Sequence, residues 1–183
     1  MPLVFVTKSN EKVAEAQRIL GPTLEQCSMN LYEIQAVKLE EVIESKVKYA
    51  FDSLQEKTVI VEDTGLFIEA WNGLPGALVK WFVECVGADG ISDMMQPFPN
   101  KNAYAQTIVA VNDGKVRTFK GRTNGQIASV PSGDKGFGWD RIFIPHGASN
   151  TFAEMAPEEK GRYSMRRAAF ESMAAFYSRA DIP

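Results

Sequence analysis

Histidine is almost missing from this 183-residue chain: its single copy, His146, sits in Pro145-His146-Gly147. Such a residue reads as part of a surface turn, so a Ser-His-Asp or Cys-His nucleophilic mechanism is not expected. Cysteine is scarce too; Cys27 and Cys85 are far apart and form no CxxC, which argues against a disulfide framework or a zinc site. No apolar run approaches the ~18 residues of a membrane span. The opening MPLVFVTKSN is too short in apolar residues for a secretory signal. Charge of one sign is also lacking: a net charge of −3 gives no reason to expect nucleic acid or an anionic membrane as a partner. The phosphate-binding pattern GxxxxGK[ST] occurs nowhere, and there are no internal repeats or low-complexity segments. What these absences leave is a reduced, intracellular protein, expected in the cytoplasm.

What is present is ordinary globular composition, 45% hydrophobic and 23% charged, over a length that fits one domain spanning 1–183. The pattern is α/β. Leu3 to Val6 reads as a short strand running into Thr7-Lys8-Ser9-Asn10, where Ser9 and Asn10 are both good helix caps. The following helix carries Val13, Ala16, Ile19 and Leu20 on one face and ends at Gly21-Pro22. A second strand is expected within Cys27 to Gln35. A longer helix then places Leu39, Val42, Ile43, Val47, Ala50, Phe51 and Leu54 on one side. Val59-Ile60-Val61 reads as a strand, Gly73 to Gly76 as a tight turn and Ala77 to Val86 as a further helix. Tyr104 to Val111 and Val116 to Phe119 flank Asn112-Asp113-Gly114-Lys115 as a hairpin, and Arg122 to Ile127 either continues or re-enters that sheet. A glycine-rich loop, Gly133 to Gly138, leads to the strand Ile142 to Ile144, and a last helix starts near Ser164. The outcome is one α/β domain, with two lobes sharing a sheet as an open variant.

The chemistry concentrates in a few places. At Thr7-Lys8-Ser9-Asn10-Glu11-Lys12 the free N–H groups and positive dipole end of a helix offer an anion site, although a plain capped helix explains the same residues. Glu62-Asp63 follows a β-branched run, so the pair is expected at the C-terminal edge of a strand, where α/β folds place their ligands. Successive strand residues face opposite ways, so only one acid is expected to enter a given cleft. A buried carboxylate needs donors or a cation, and a magnesium ion is held by such oxygens. Glu33 is the natural second ligand. A turn at Asp63-Thr64-Gly65 is the competing explanation. Lys46 lies at the edge of an apolar helix face and Lys80 between Val79 and Trp81. Both are candidates for the same site, with snorkelling surface lysines as the alternative. Phe137-Gly138-Trp139-Asp140 offers aromatics beside glycine, suited to a slot for a planar base or to a packed core turn.

Five motifs in this order, VFVT..NEK..EA, VEDTGLFIEAWNGLPG, FKGRTNGQI, KGFGWDRIFIP and TFAEMAPEEK, cover nearly the whole chain. The sequence closely resembles the inosine triphosphate pyrophosphatases of the Ham1 type. The resemblance implies an elongated mixed β-sheet flanked by helices, in two lobes with the active-site cleft between them. It also implies a homodimeric, magnesium-dependent enzyme, with manganese as a substitute, that hydrolyses deaminated purine nucleoside triphosphates (ITP, dITP, XTP) to monophosphate and pyrophosphate. Thr7, Lys8, Ser9, Asn10 and Lys12 would hold phosphates, with Lys46, Thr64 and Lys80 as further substrate contacts. Glu33 and Asp63 would bind the metal, and Asp63, supported by Glu62, would help activate water. Phe137, Gly138, Trp139, Asp140, Lys160 and Arg166 would surround base and sugar.

Two positions depart from the family pattern. Ser9 stands at the usual Asn of T-x-N-x-x-K, and Ser164-Met165-Arg166 replaces Ser-His-Arg. Losing a base-reading donor relaxes selectivity, so a shifted base preference is the near alternative. A non-catalytic nucleotide-binding protein is the distant one.

Overall fold

The computed structural model describes residues 3–180 apart from Thr23 and Glu56. Among the described residues, seven strands form one sheet in the order β2-β1-β3-β5-β6-β7, with β4 paired to β3 off that path. The strands are β1 (Val4–Val6), β2 (Glu25–Cys27), β3 (Val59–Ile68), β4 (Pro75–Gly76), β5 (Asn102–Asn112), β6 (Val116–Ile127) and β7 (Phe143–Pro145). The helices are α1 (Asn10–Leu20), α2 (Leu39–Ser53), α3 (Val79–Met95), α4 (Pro157–Tyr163) and α5 (Met165–Ala180). β1 runs parallel to β2 and β3, whereas β3–β4 and β6–β7 are antiparallel, so the sheet is mixed. Among the described residues no helix is long and apolar enough to cross a membrane.

The chain divides into two compact units, whose boundaries fall inside β3, β5 and β6. The first holds residues 1–64, 107–121 and 165–183. Its core packs Phe5 and Ile60 with Val109, Val111 and Phe119, beneath Val13 and Ala16 of α1 and Ala169, Phe170 and Met173 of α5. Phe5 and Phe170 meet edge to face at 5.6 Å. α5 approaches β6 closely because Gly121 has no side chain: a Cβ there would lie 1.9 Å from the Met165 carbonyl oxygen. The second unit holds residues 65–106 and 122–164. It is built round Trp139, Phe143 and Phe152, whose ring centroids are 5.2–6.3 Å apart.

Several expectations hold. Ser9 caps α1, its hydroxyl accepting from the Lys12 amide at 3.2 Å, and α2 buries Leu39, Val42, Ile43, Val47 and Ala50. The hairpin forms at Asp113-Gly114, and β6 runs unbroken to Ile127, so Arg122 to Ile127 continues it. Other expectations are corrected. The second strand lies at Glu25–Cys27, and Cys27 to Gln35 is irregular beyond its first residue, because β2 pairs only along the three-residue β1. The strand Val59-Ile60-Val61 does not stop at the acids; β3 continues to Ile68, since Leu66 and Phe67 pair with β4. Glu62 and Asp63 are therefore mid-strand, and the turn at Asp63-Thr64-Gly65 does not occur. α3 extends past Val86 to Met95 through a break at Gly87, whose φ of 73° suits glycine. The last strand begins at Phe143 after a 3₁₀ turn over Asp140–Ile142. The short helix α4 was not anticipated.

Candidate active site

The acids Glu62 and Asp63 are consecutive on a strand and so face opposite ways. Their surroundings differ accordingly. Glu62 is 2% exposed and lies on the side of α1 and α5. Lys12 of α1 forms an ion pair with its Oε1, and the Arg166 Nε of α5 donates to its Oε2 at 2.9 Å. Arg166, itself 6% exposed, also donates from its other arm to Glu15 at 2.9 Å. Burial would raise the Glu62 pKa, but Lys12 and Arg166 overcome it and hold the carboxyl well below the usual range. Burial would likewise weaken the Arg166 charge, and Glu62 and Glu15 more than offset it. This face carries fixed, fully matched charges.

Asp63 faces α2. Its Oδ1 accepts the Thr64 backbone N–H at 2.9 Å, and its Oδ2 lies 3.9 Å from the Lys46 ammonium. Lys46 is 8% exposed, on the apolar face of α2, and is bonded to Glu33 at 2.6 Å. The lysine belongs to the buried stripe of the helix rather than to a snorkelling edge. Burial acts to lower its pKa, but Asp63 and Glu33 together raise it. For Asp63 burial prevails: it pushes the carboxyl above its ordinary value, and the Lys46 and Lys12 charges do not cancel the effect. Across the two faces, four carboxylates (Glu15, Glu33, Glu62, Asp63) meet three cations (Lys12, Lys46, Arg166). The excess negative charge lies on the Asp63 side.

The remaining first-unit candidates frame this cluster. The Thr7 hydroxyl accepts the Ser9 amide at 3.2 Å, and the Ser9 hydroxyl donates to Glu11 at 2.8 Å. Asn10 accepts from Gln26, and Lys8 bonds the Asn30 side chain. Glu33 ends no strand; it stands in the irregular segment before α2. Thr64 extends its hydroxyl to Glu62 at 3.4 Å and pairs with the fully buried Thr107 at 2.7 Å. Glu15 and Thr107 were not anticipated. Glu15 had a signal, its spacing of three from Lys12 on one helix; Thr107 is one hydroxyl in an apolar strand and had none.

The second unit holds the other candidates. Asp140 is 4% exposed and accepts the Phe137 amide at 2.9 Å and the Lys160 ammonium at 2.6 Å. That ammonium also lies 5.4 Å from the Phe137 ring centroid. Phe137 keeps a half-exposed ring beside Gly138, while Trp139 is buried against Phe143 and Phe152, so Phe137 is the open wall of any slot. Lys80 is not in the apolar setting its neighbours suggested. Its side chain is 67% exposed beside Glu84 at 3.8 Å, because Val79 alone of its flanking residues turns inward. His146 is exposed, as a turn residue should be.

Together these elements define a mixed α/β protein with two acids on one strand and cations of α1, α2 and α5 beside them. Residues 3–176 match the Ham1 family. The chain is 40% identical over 177 residues to the dITP/XTP pyrophosphatase of Thermococcus kodakarensis, covering 95% of this chain and 96% of that one. It is 39% identical over 184 residues to the inosine triphosphate pyrophosphatase of Kluyveromyces lactis, covering 95% and 94%. Its fold matches the Ham1 protein of Staphylococcus aureus with a TM-score of 0.82 at 24% identity, over 98% of this chain and 100% of the other. The chain belongs to the Ham1 family.

Proposed function

We propose that this chain is a nucleoside triphosphate pyrophosphatase that converts deaminated purine nucleoside triphosphates, ITP, dITP and XTP, to monophosphate and pyrophosphate. The observation that carries the reading is the contrast between adjacent residues of β3: Glu62 is clamped by Lys12 and Arg166, whereas the cation nearest Asp63, Lys46 at 3.9 Å, is bonded more closely to Glu33. Relatives named for this activity, at 39–40% identity over nearly the full chain, support it.

The residues fit a divalent ion of the magnesium or manganese kind. Asp63 and Glu33 offer hard oxygens, and the Asp63 charge lacks full compensation. Among the described residues no three His, Cys, Asp or Glu side chains form a cage. Magnesium takes one or two carboxylates and leaves its other positions to water and phosphate. Asp63 and Glu33 would hold the ion, which supplies charge neutralisation at the phosphate oxygens. The start of α1, with Lys12, holds the phosphates through amide N–H groups and the helix dipole. Water attacks the α-phosphorus in line, the Asp63 carboxylate accepts its proton, and pyrophosphate departs. Glu62 stays ionised and fixes Lys12 and Arg166. Phe137, Gly138, Trp139, Asp140 and Lys160 take the base-recognition role, with Phe137 as the stacking surface, while Thr7, Ser9, Asn10, Lys8, Thr64 and Lys80 serve as ancillary substrate contacts. A homodimer of the cytoplasm completes the reading, and sedimentation of the purified chain tests the assembly.

The test is incubation with magnesium and, separately, ITP, XTP, dITP, GTP and ATP, measuring pyrophosphate against orthophosphate. Pyrophosphate from the first three, with little from GTP and ATP, is the expected result; no product from any would overturn the reading. One observation favours a relaxed base preference. Met165, at 6% exposure, presents a thioether where the resembling family has a hydrogen-bonding histidine. Under that variant, ITP and GTP are turned over at comparable rates and Met165→His restores the difference.

A further inference from the structure

The acids assigned to the metal are already engaged by a cation of the chain itself. Lys46 bonds Glu33 at 2.6 Å and stands 3.9 Å from Asp63, within ion-pair range of both proposed ligands at once. It does so from the buried face of the 15-residue helix α2, so the contact is built into a regular element rather than a surface loop. We infer that Lys46 stands in for the divalent ion in the nucleotide-free chain, so that the ion enters with the triphosphate and not before it. This rests on the pyrophosphatase reading and its metal.

The argument is electrostatic. Four carboxylates against three cations leave the cluster one negative charge from neutral, so a free divalent ion would overshoot while meeting the Lys46 ammonium beside the same oxygens. At such separations in a partly buried site, like charges repel strongly. A triphosphate reverses the balance. Its oxygens give Lys46 a second anionic partner and bring the negative charge that the ion matches. A lysine suits this exchange, because its ammonium carries three donors on a flexible stem and can turn from a carboxylate to a phosphate without leaving its helix. Lys46 is thus a residue that sets the order of binding as well as a substrate contact.

The inference makes a counter-intuitive prediction: removing a cation from the nucleotide site tightens the metal. Mn²⁺ alone is titrated into the full chain without nucleotide, and free Mn²⁺ is followed by its electron paramagnetic resonance signal. Lys46→Met is expected to bind Mn²⁺ about tenfold or more tightly than the unmodified protein, and adding Asp63→Asn to that variant should abolish the gain. Lys46→Gln, which loses the charge but can still donate to Glu33, replaces Lys46→Met if the latter does not fold. Unchanged or weaker Mn²⁺ binding by a folded variant overturns the inference. The metal reading survives that result if the unmodified protein with α,β-methylene-ITP retains Mn²⁺ and loses it on Asp63→Asn. Absence of any Asp63-dependent Mn²⁺, with or without that analogue, overturns both.

Discussion

Glu62 and Asp63 share a strand and a charge, yet the two faces they occupy are organised on opposite principles. On the α1–α5 side, Glu62 is matched by Lys12 and Arg166, and Arg166 is matched again by Glu15. Breaking such a network is costly because it strands a buried charge, so this side contributes order. On the α2 side, Asp63 has one cation at 3.9 Å that is bonded more closely to Glu33. A carboxylate left short of partners is a poor structural element and a good proton acceptor or metal ligand. The difference teaches that two adjacent acids on one strand need not share an environment: Glu62 is clamped by two cations, while Asp63 shares its one near cation with Glu33.

The comparison can be broken most sharply by neutralising the chemical side. Asp63→Asn is expected to lower kcat about 10²- to 10⁴-fold while leaving the urea midpoint unchanged or slightly raised, since it relieves an under-compensated charge. An equal activity loss in a folded Glu62→Gln with unaltered Arg166 environment would erase the distinction. On the scaffold side, Arg166→Leu should destabilise the protein by about 3–5 kcal/mol, read from equilibrium urea unfolding. A loss below 1 kcal/mol would mean the network is ornamental.

The pH dependence separates the two sides by sign. Glu62 has a depressed pKa in the folded state, so its contribution is full above the ordinary value of 4.5 and drains away as pH falls below it. Asp63 has a raised pKa, so its contribution is full below its ordinary value of 3.8 and is lost as pH rises through the folded value above that. In metal-free protein, the urea midpoint should therefore drop on acidification below 4.5 with a steepness that Glu62→Gln reduces and Asp63→Asn increases. The smallest effect belongs to the rim of the site. Ser9→Ala removes the cap on the Lys12 amide and should cost about 1 kcal/mol, with a modest rise in KM and little change in kcat.

The elements that follow short-range rules were legible. Ser9 as a cap, the apolar stripe of α2 and the hairpin after Asn112 all follow from residues within one or two turns of each other. Where a neighbour in space decided the outcome, reading along the chain failed. β3 continues past two acids because β4 pairs with Leu66 and Phe67, and nothing within Val59–Asp63 announces β4. Lys46 and Lys80 both looked like lysines on an apolar background. Packing buried the first beside Glu33 and left the second 67% exposed beside Glu84.

By itself the sequence determined the α/β alternation and the ordered motifs that mark the family. Local propensity and hydrophobic periodicity act over a few residues and are written into the chain directly. Only the tertiary structure decided which acid is clamped by two cations and which is left with one at a distance. Arg166 reaches Glu62 across 104 positions and Glu15 across 151. Gly121 permits that reach by letting the first turn of α5 press against β6. Ion pairs between segments so distant exist only after the core has brought α1, β3 and α5 together.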